Sequence, residues 1–202
     1  MEPVKLLLAT GNRGKFNELR EMFREVPIDL LSLRDFEGLV DVPETGTTFE
    51  ENAGLKALGF ALQTKVLSLA DDSGLEVEAL GNAPGVYSAR FAGENSDYSF
   101  KIRKLLAMLD STGDEIRKAR FVCVMSLADR DGNVIYTARG VCPGSIAKSP
   151  RGDNGFGYDP IFIPDGFDQT FGELDDDVKK AISHRARATE LIIRYLLDFI
   201  AV

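Results

Sequence analysis

The sequence predicts an α/β fold with a mixed β-sheet. Short apolar segments typical of strands alternate with longer segments whose apolar residues recur at helical spacing. An Asp-Gly turn at Asp131-Gly132 joins two strand-like segments into a hairpin, which adds an antiparallel pair to the sheet. At 202 residues, the chain is long enough for one substantial domain or for two lobes that share a core.

The N-terminal elements follow from two apolar patterns. Residues 4–8 are largely apolar and end at a Thr-Gly-Asn loop, and apolar residues then recur at helical spacing across residues 16–26. We therefore expect a strand, a tight loop and a helix. Thr48 with Glu51 three residues later is typical of a capping box, which predicts that a second helix begins there.

The next strand is expected to end at a pair of aspartates. Residues 66–70 form a short apolar run that stops abruptly at Asp71 and Asp72, and Ser73-Gly74 follows before apolar and polar residues alternate again. This pattern predicts that both carboxylates lie at a strand end. Acids at the end of a buried strand are well placed to face a cleft.

The C-terminal half continues the same alternation. Residues 98–109 have helical spacing, with Ser96 or Asp97 as the start, and the basic residues of this helix are expected to be solvated. Residues 121–127 and 134–141 are the two hairpin strands. Residues 143–164 are rich in Gly, Pro and Asp and predict a long ordered loop that carries a site, and residues 190–201 predict a final helix.

Composition and charge exclude several classes of function. A formal net charge of −8 would repel a phosphate backbone over most of the surface, so a broad nucleic-acid footprint is not expected. No stretch reaches the roughly 20 apolar residues that a membrane span needs. The 2 cysteines have no CxxC spacing, which favours core residues in a reducing cytosol. We therefore expect a soluble, cytoplasmic protein without a nucleic-acid or membrane partner.

The first candidate site is the loop from Thr10 to Lys15, which leads from a strand end into a helix. Free N–H groups and the helix dipole at such a position can hold phosphate, and Lys15 adds a positive charge. The loop matches neither the Walker A motif nor GxGxxG. A tight turn that simply uses its glycines explains this stretch equally well.

The second candidate is an acidic set of Glu44, Asp71 and Asp72. Mg²⁺ prefers a few carboxylate oxygens and leaves room for waters and substrate phosphates. A lone Asp-Asp pair is usually a solvated turn, and Glu44 is a ligand only if it pairs with Asp72.

Two further candidates lie near the C-terminus. Residues 152–160 place Phe156 and Tyr158 among glycines, so that a planar base could stack there, although a hairpin tip with aromatic anchors is an equal alternative. His184 and Arg185 are adjacent donors that suit a carbonyl oxygen or a phosphate, although a single histidine is more often structural. With no second imidazole in the chain, zinc chemistry is not expected.

Together these motifs resemble the noncanonical purine (inosine/xanthosine) triphosphate pyrophosphatases. The resemblance spans nearly the whole chain in order. Its motifs are Thr10-Gly11-Asn12-Arg13-Gly14-Lys15, Glu44-Thr45-Gly46, Glu51-Asn52-Ala53, Asp71-Asp72-Ser73-Gly74-Leu75, Pro84-Gly85-Val86-Tyr87-Ser88-Ala89-Arg90, Gly155-Phe156-Gly157-Tyr158-Asp159-Pro160 and Ser183-His184-Arg185.

The resemblance implies an α/β fold with a central, elongated mixed sheet flanked by helices. It also implies one two-lobed domain over residues 1–202, with an active-site cleft, and a homodimer. It implies Mg²⁺-dependent hydrolysis of ITP, dITP and XTP to the monophosphate and pyrophosphate, with Asp72 as proton acceptor and with Glu44 and Asp72 as metal ligands. Lys180 stands where the family has asparagine. The implied substrate contacts are Thr10, Gly11, Asn12, Arg13, Gly14, Lys15, Lys56, Ser73, Phe156, Gly157, Tyr158, Asp159, Lys179, His184 and Arg185.

Two other functions remain as alternatives. A non-catalytic nucleotide-sensing module would bind through residues 10–15 and would need no carboxylate pair. A dinucleotide-dependent oxidoreductase is disfavoured because GxGxxG does not follow the first strand.

Overall fold

The computed structural model describes residues 3–93 and 96–201. The strands and helices of the described residues, in chain order, are β1 (Val4–Leu8), α1 (Arg13–Met22), β2 (Ile28–Ser32), α2 (Phe49–Thr64), β3 (Leu67–Val77), β4 (Ala83–Pro84), α3 (Tyr98–Thr112), β5 (Lys118–Ala128), β6 (Val134–Ile146), β7 (Phe162–Pro164), α4 (Asp176–Ile182) and α5 (His184–Ile200). Short 3₁₀ helices lie at Leu33–Asp35, Glu78–Leu80, Gly85–Arg90 and Asp159–Ile161.

The strands form a mixed sheet in the order β2-β1-β3-β5-β6-β7, with β4 paired to β3. Strand β1 runs parallel to both β2 and β3, while β4 pairs antiparallel with β3 and β7 pairs antiparallel with β6. Strands β5 and β6 are hydrogen-bonded neighbours joined by a short turn, which only an antiparallel pair permits. The predicted α/β fold with a mixed sheet is confirmed.

The chain divides into two compact units, each built from separate stretches of sequence. The first comprises Met1–Asp72, Cys123–Gly140 and Arg185–Val202, and the second comprises Ser73–Val122 and Val141–His184.

The first unit covers both faces of its strands with helices. Side chains alternate along β1, so that Leu6 and Leu8 join a core with α1 and α5, whereas Leu7 and Ala9 join a core with α2. Because helices cover both faces of β1, its residues form an apolar run and do not alternate between apolar and polar. In the second unit, one core packs α3 against the ends of β3, β5 and β6 that belong to this unit, and it includes Phe121.

Three local predictions are confirmed. Thr48 and Glu51 form a complete capping box at the start of α2. Asp97 caps α3 through a bond that its side chain accepts from the Phe100 N–H. The hairpin turn has Gly132 at a φ of +87°, a conformation that favours glycine. The basic residues of α3 are not all solvated, however, because Lys101 is buried.

The prediction that a strand ends at Asp71 and Asp72 is wrong. Strand β3 is 11 residues long, and it continues through both aspartates to Val77. Both residues are buried, at 2% and 5% exposure. The strand can continue because basic and amide groups from other elements compensate the two carboxylates, as described below.

Other predicted boundaries shift. Helix α1 ends at Met22, so that Val26 lies outside it, and strand β2 and helix α4 are elements that the sequence patterns did not predict. The predicted loop over residues 143–164 is shorter because Pro143 to Ile146 belong to β6, and α5 begins at His184 rather than near residue 190. No helix among the described residues is long and apolar enough to cross a membrane.

Candidate active site

Asp71 and Asp72 point to opposite faces of β3. Leu69 belongs to the core beneath α1 and α5, and Ala70 belongs to the core beneath α2. Because side chains alternate along a strand, Asp71 faces α1 and α5 and Asp72 faces α2. Each carboxylate therefore meets a different set of partners within the first unit.

Asp71 connects Lys15 to a buried arginine. Its Oδ2 lies 2.9 Å from the Nζ of Lys15 and 3.6 Å from an Nη2 of Arg185. Arg185, 2% exposed, also donates from Nη1 to Glu18 at 2.6 Å. Burial by itself would raise the pKa of Asp71, but the charges of Lys15, Arg185 and Lys56 outweigh burial and hold that pKa well below its usual range.

Asp72 lies among residues of α2. The Nδ2 of Asn52 donates to its Oδ2 at 3.0 Å. The Nζ of Lys56 donates to Glu44 Oε1 at 2.5 Å and to the backbone oxygen of Asp71 at 2.6 Å. Burial raises the pKa of Asp72, and Lys56 and Asn52 offset only part of that increase. Burial lowers the pKa of Lys56, but the nearby carboxylates more than reverse this effect.

The loop before α1 has the geometry of an anion site. Asn12 caps the helix, because its side chain accepts from the Lys15 N–H at 3.1 Å, and the Asn12 N–H in turn donates to the Thr10 hydroxyl at 3.2 Å. Gly11, Asn12 and Arg13 are exposed. The start of a 10-residue helix, with a lysine one turn inside it, can bind phosphate oxygens.

Glu44 and Asp72 suit a magnesium ion better than a metal whose ligands all come from protein side chains. The Lys56 ammonium donates a hydrogen bond to Glu44 and also interacts electrostatically with Asp72, so one cation connects the two carboxylates. Among residues 3–93 and 96–201, no group of three or more His, Cys, Asp or Glu side chains could hold a metal ion. Mg²⁺ needs only one or two protein carboxylates, because waters and phosphate oxygens complete its coordination. The donor set therefore fits Mg²⁺.

In the second unit, Asp159 organises the glycine-rich loop, which we define as residues 152–160. Its Oδ2 accepts from the Phe156 N–H at 2.8 Å and from Lys179 Nζ at 2.7 Å, and Lys179 also lies 4.7 Å from the centre of the Phe156 ring. Asp159 and Lys179 are both buried. At Gly155, where φ is +72°, a Cβ would lie 2.1 Å from Asp159 Oδ2, so only glycine leaves room for this carboxylate. The structure thus brings together three of the predicted pocket residues.

Tyr158 differs from its predicted use as a stacking surface. The ring is 3% exposed, packs edge-on against Tyr98 at 5.4 Å, and its hydroxyl donates to the backbone oxygen of Ser88 at 3.0 Å. Burial, with a smaller contribution from Tyr98, raises the pKa of this hydroxyl, which therefore remains a donor. Phe156 is the half-buried ring of this loop, whereas Tyr158 is a core residue.

His184 and Arg185 are adjacent in the chain but contact different groups. His184 stacks on Phe121 within the second unit, with ring centres 4.7 Å apart and planes at 15°. Arg185 belongs to the Asp71 network of the first unit. Ser73 follows Asp72 directly in β3 and is half-buried. Lys180, the departure from the family pattern, pairs with Asp177 at 3.2 Å at an exposed position.

Sequence reasoning missed two partners of the buried acids. Asn52 occurs in the Glu51-Asn52-Ala53 motif, which carried the resemblance without assigning this side chain a role. Glu18 belongs to no motif, and its role depends on Arg185, 167 residues away in the chain. No local pattern could have identified it.

Comparisons with known proteins agree on one family. The Ham1 family model matches residues 6–195. A dITP/XTP pyrophosphatase from Desulforamulus reducens is 47% identical over 96% of this chain and 96% of its own length, and one from Oceanobacillus iheyensis is 44% identical over 95% and 98%. The solved structure of a HAM1 protein from Coxiella burnetii aligns with a TM-score of 0.90 at 42% identity, covering 96% of this chain and 99% of that one. A nucleoside-triphosphatase/dITP/XTP pyrophosphatase from Mycobacterium abscessus aligns with a TM-score of 0.77 at 42% identity, covering 94% and 98%.

Proposed function

The chain belongs to the Ham1 family, and from this premise we propose that it hydrolyses noncanonical purine nucleoside triphosphates, namely ITP, dITP and XTP. The products are the nucleoside monophosphate and pyrophosphate, and the reaction removes these nucleotides from the cellular pool. The names of the relatives that are more than 40% identical support the substrate class.

The observation that carries the proposal is a cluster of buried and half-buried charges around β3. Lys15, Lys56 and Arg185 are opposed by the carboxylates of Glu18, Glu44, Asp71 and Asp72, so the cluster has a net charge of −1 when all are ionised. A triphosphate is itself strongly anionic, and such a cluster cannot neutralise it without another cation. Charge balance therefore supports a divalent metal as part of the proposal.

Glu44 and Asp72 would hold Mg²⁺, which supplies positive charge against the phosphate oxygens and the developing charge of the leaving group. The side chains have separate roles. The loop of residues 10–15 and Lys56 bind phosphate oxygens through N–H groups and ammonium charge. Asp71 fixes Lys15 by the 2.9 Å ion pair, so that this ammonium needs little reorganisation during the reaction.

Asp72 orients the attacking water and accepts its proton. The water oxygen forms a bond to the α-phosphorus, the bond from the α-phosphorus to the bridging oxygen breaks, and pyrophosphate leaves with that oxygen. A carboxylate within hydrogen-bonding distance of the attacking water is a suitable proton acceptor. No covalent intermediate with the protein is required.

Base selection depends on donors that suit a 6-oxo group. Among the described residues, the backbone N–H groups of Gly157 and Tyr158 donate to no protein acceptor, and they lie beside the half-buried Phe156 ring. The 6-oxo group of hypoxanthine or xanthine can accept from such donors, whereas the 6-amino group of adenine would leave them unpaired. We therefore expect dITP and XTP to be preferred over dATP.

Product analysis in ¹⁸O-labelled water tests the reaction. We expect Mg²⁺-dependent release of pyrophosphate from dITP, with the label in the monophosphate because water attacks the α-phosphorus. Orthophosphate as the first product, or label in pyrophosphate, would refute the proposed reaction. A panel of dITP, XTP, dATP and dGTP then ranks the bases.

The Asp72→Asn variant separates an enzyme from a nucleotide-sensing module. We expect turnover to fall at least about 100-fold, because the proton acceptor is removed, while dIMP still binds in calorimetry. Asp177→Asn makes the same chemical change at a side chain that is 93% exposed and should keep full activity. Unchanged turnover in Asp72→Asn would contradict the role of Asp72, whereas a wild-type protein that binds dITP without any turnover would favour the sensing module.

The proposal also includes a homodimer that acts in the cytoplasm, as the resemblance implies. Light scattering of the purified chain tests the dimer, since a mass near 22.2 kDa at micromolar concentration would contradict it. Fractionation of the source cells tests the location.

A further inference from the structure

The segment Pro84–Arg90 contacts the glycine-rich loop, yet no step of the proposed reaction uses it. Gly85–Arg90 forms a 3₁₀ helix directly after the short strand β4. Tyr87 and Ala89 are exposed in this helix, whereas Ser88 is only 5% exposed. The hydrogen bonds of Ser88 and Ala89 described below lie within the second unit.

The Ser88 hydroxyl joins this segment to β3. It accepts from the Leu75 N–H at 2.9 Å and donates to the backbone oxygen of Gly85 at 2.6 Å. Leu75 is separated from Ser73, an expected substrate contact, by one glycine. The serine side chain thus fixes the 3₁₀ helix against the strand that carries Ser73.

The Ser88 backbone oxygen joins the same segment to the glycine-rich loop. It accepts the buried hydroxyl of Tyr158 at 3.0 Å, and the Tyr158 ring is held edge-on by Tyr98. The next backbone oxygen, that of Ala89, accepts from buried Lys101 at 2.6 Å, and Lys101 lies 4.7 Å from the centre of the Tyr98 ring. Two buried donors therefore fix two successive carbonyl groups.

Phe156 lies two residues before Tyr158 in the chain, and Asp159 follows it directly. A loop with glycine at 155 and 157, both at positive φ, has little intrinsic preference for one conformation. The Tyr158 side chain is directed into the core and anchors the middle of this loop. The Phe156 ring and the N–H groups of Gly157 and Tyr158 depend for their positions on that anchor together with the contacts that Asp159 and Lys179 make to Phe156.

We propose that Tyr158 and Ser88 are positioning residues that set nucleobase affinity and discrimination by fixing the glycine-rich loop to β3. This inference rests on the proposed function for its substrate, but its structural part can be tested without turnover. Neither side chain contacts the reacting phosphate in this scheme. Their loss should therefore change KM and base preference much more than kcat.

The test compares Tyr158→Phe, which keeps the ring and removes the hydroxyl, with Tyr87→Phe. Tyr87 is 55% exposed in the same 3₁₀ helix and provides the matched control. For Tyr158→Phe we expect KM for dITP to rise about threefold to tenfold, the effect of one net hydrogen bond, with kcat within about twofold of wild type. The dITP-to-dATP ratio of kcat/KM should fall by a similar factor, and Tyr87→Phe should match wild type.

Ser88→Ala and the double variant test whether both residues act through one connection. We expect Ser88→Ala to raise KM as Tyr158→Phe does, and the double variant to raise it less than the product of the two single effects. Multiplicative effects would overturn a shared connection. A lowered melting temperature with unchanged KM and unchanged base preference would overturn the positioning role.

Amide hydrogen exchange distinguishes failure of this inference from failure of the proposed function. In Tyr158→Phe, exchange should become faster in both residues 84–90 and residues 155–160, whereas Tyr87→Phe should leave both unchanged. Faster exchange in only one of the two segments would overturn the inference even if dITP is a substrate. If wild type releases no pyrophosphate from dITP, the proposed function fails, and the exchange data alone decide whether the connection exists.

Discussion

Replacing Asp71 by asparagine should destabilise the protein strongly. The carboxylate, 1% exposed, pairs with Lys15 at 2.9 Å and Arg185 at 3.6 Å, so its loss leaves two cations with less compensation in a buried setting. Removing one member of a buried ion pair costs about 3–5 kcal/mol. Arg185 keeps Glu18 as a partner and Lys15 is 16% exposed, so we expect the lower end, about 3 kcal/mol.

Urea denaturation and calorimetry measure this loss. For a chain of this size, about 3 kcal/mol corresponds to a decrease in melting temperature of about 6–12 °C. The pKa of Asp71 is lowered in the folded state, so its stabilisation is present above the unfolded-state value of about 3.9 and is lost as the pH falls towards the folded-state value. The difference in stability between wild type and Asp71→Asn should therefore be constant from about pH 7 to pH 5 and narrow below about pH 4.

Asp177→Asn is the control for this comparison. The Asp177 side chain is 93% exposed and pairs with Lys180, three residues away. Because exposed ion pairs contribute little to stability, we expect the free energy of unfolding to change by no more than about 0.5 kcal/mol. A loss in Asp71→Asn of less than about 1 kcal/mol would refute the buried ion-pair network as a source of stability. A difference between wild type and Asp71→Asn that widens at low pH would refute the sign of the pKa shift.

Three further predictions concern other parts of the chain. Thr48→Ala removes the side-chain cap of α2 and should lower the free energy of unfolding by about 1 kcal/mol in urea titrations, and no change would argue against the cap. Gly155→Ala places a Cβ against Asp159 and should raise KM for dITP, whereas Gly166→Ala, at a φ of +88° with nothing within 4 Å, carries the same backbone strain and should leave KM unchanged. Burial, and then the charge of Asp71, raise the pKa of the Cys123 thiol to about 12, so a thiol reagent at pH 8 should modify it only after unfolding, and rapid labelling of the native protein would contradict its burial.

Local sequence rules were sufficient where the interacting groups are close in the chain. The Thr48 capping box, the Asp97 cap and the hairpin turn at Gly132 each depend on residues within a few positions, and all three are confirmed. The strand-helix alternation likewise predicted the α/β class. Strand β2 was not predicted because it is short and partly exposed and has an aspartate inside it.

The course of β3 required the tertiary structure. Adjacent aspartates indicate a strand end when only their neighbours are considered, because a buried carboxylate is costly without partners. The partners exist, but Lys15 lies 56 residues before Asp71 and Arg185 lies 114 residues after it. Folding brings these cations to one face of the strand and α2 to the other, and the strand then continues through both acids.

The sequence by itself determined which residue types carry the candidate chemistry, since the motifs name the acids, the lysines and the aromatic loop. The tertiary structure decided what each does: Asp71 binds Lys15 and Arg185, whereas Asp72 lies beside Asn52. The tertiary structure also places the Tyr158 side chain in the core, where it does not have the stacking role that the sequence suggested. The physical reason is that a strand or loop side chain takes its role from the elements on the face it points to, and those elements come from distant parts of the chain.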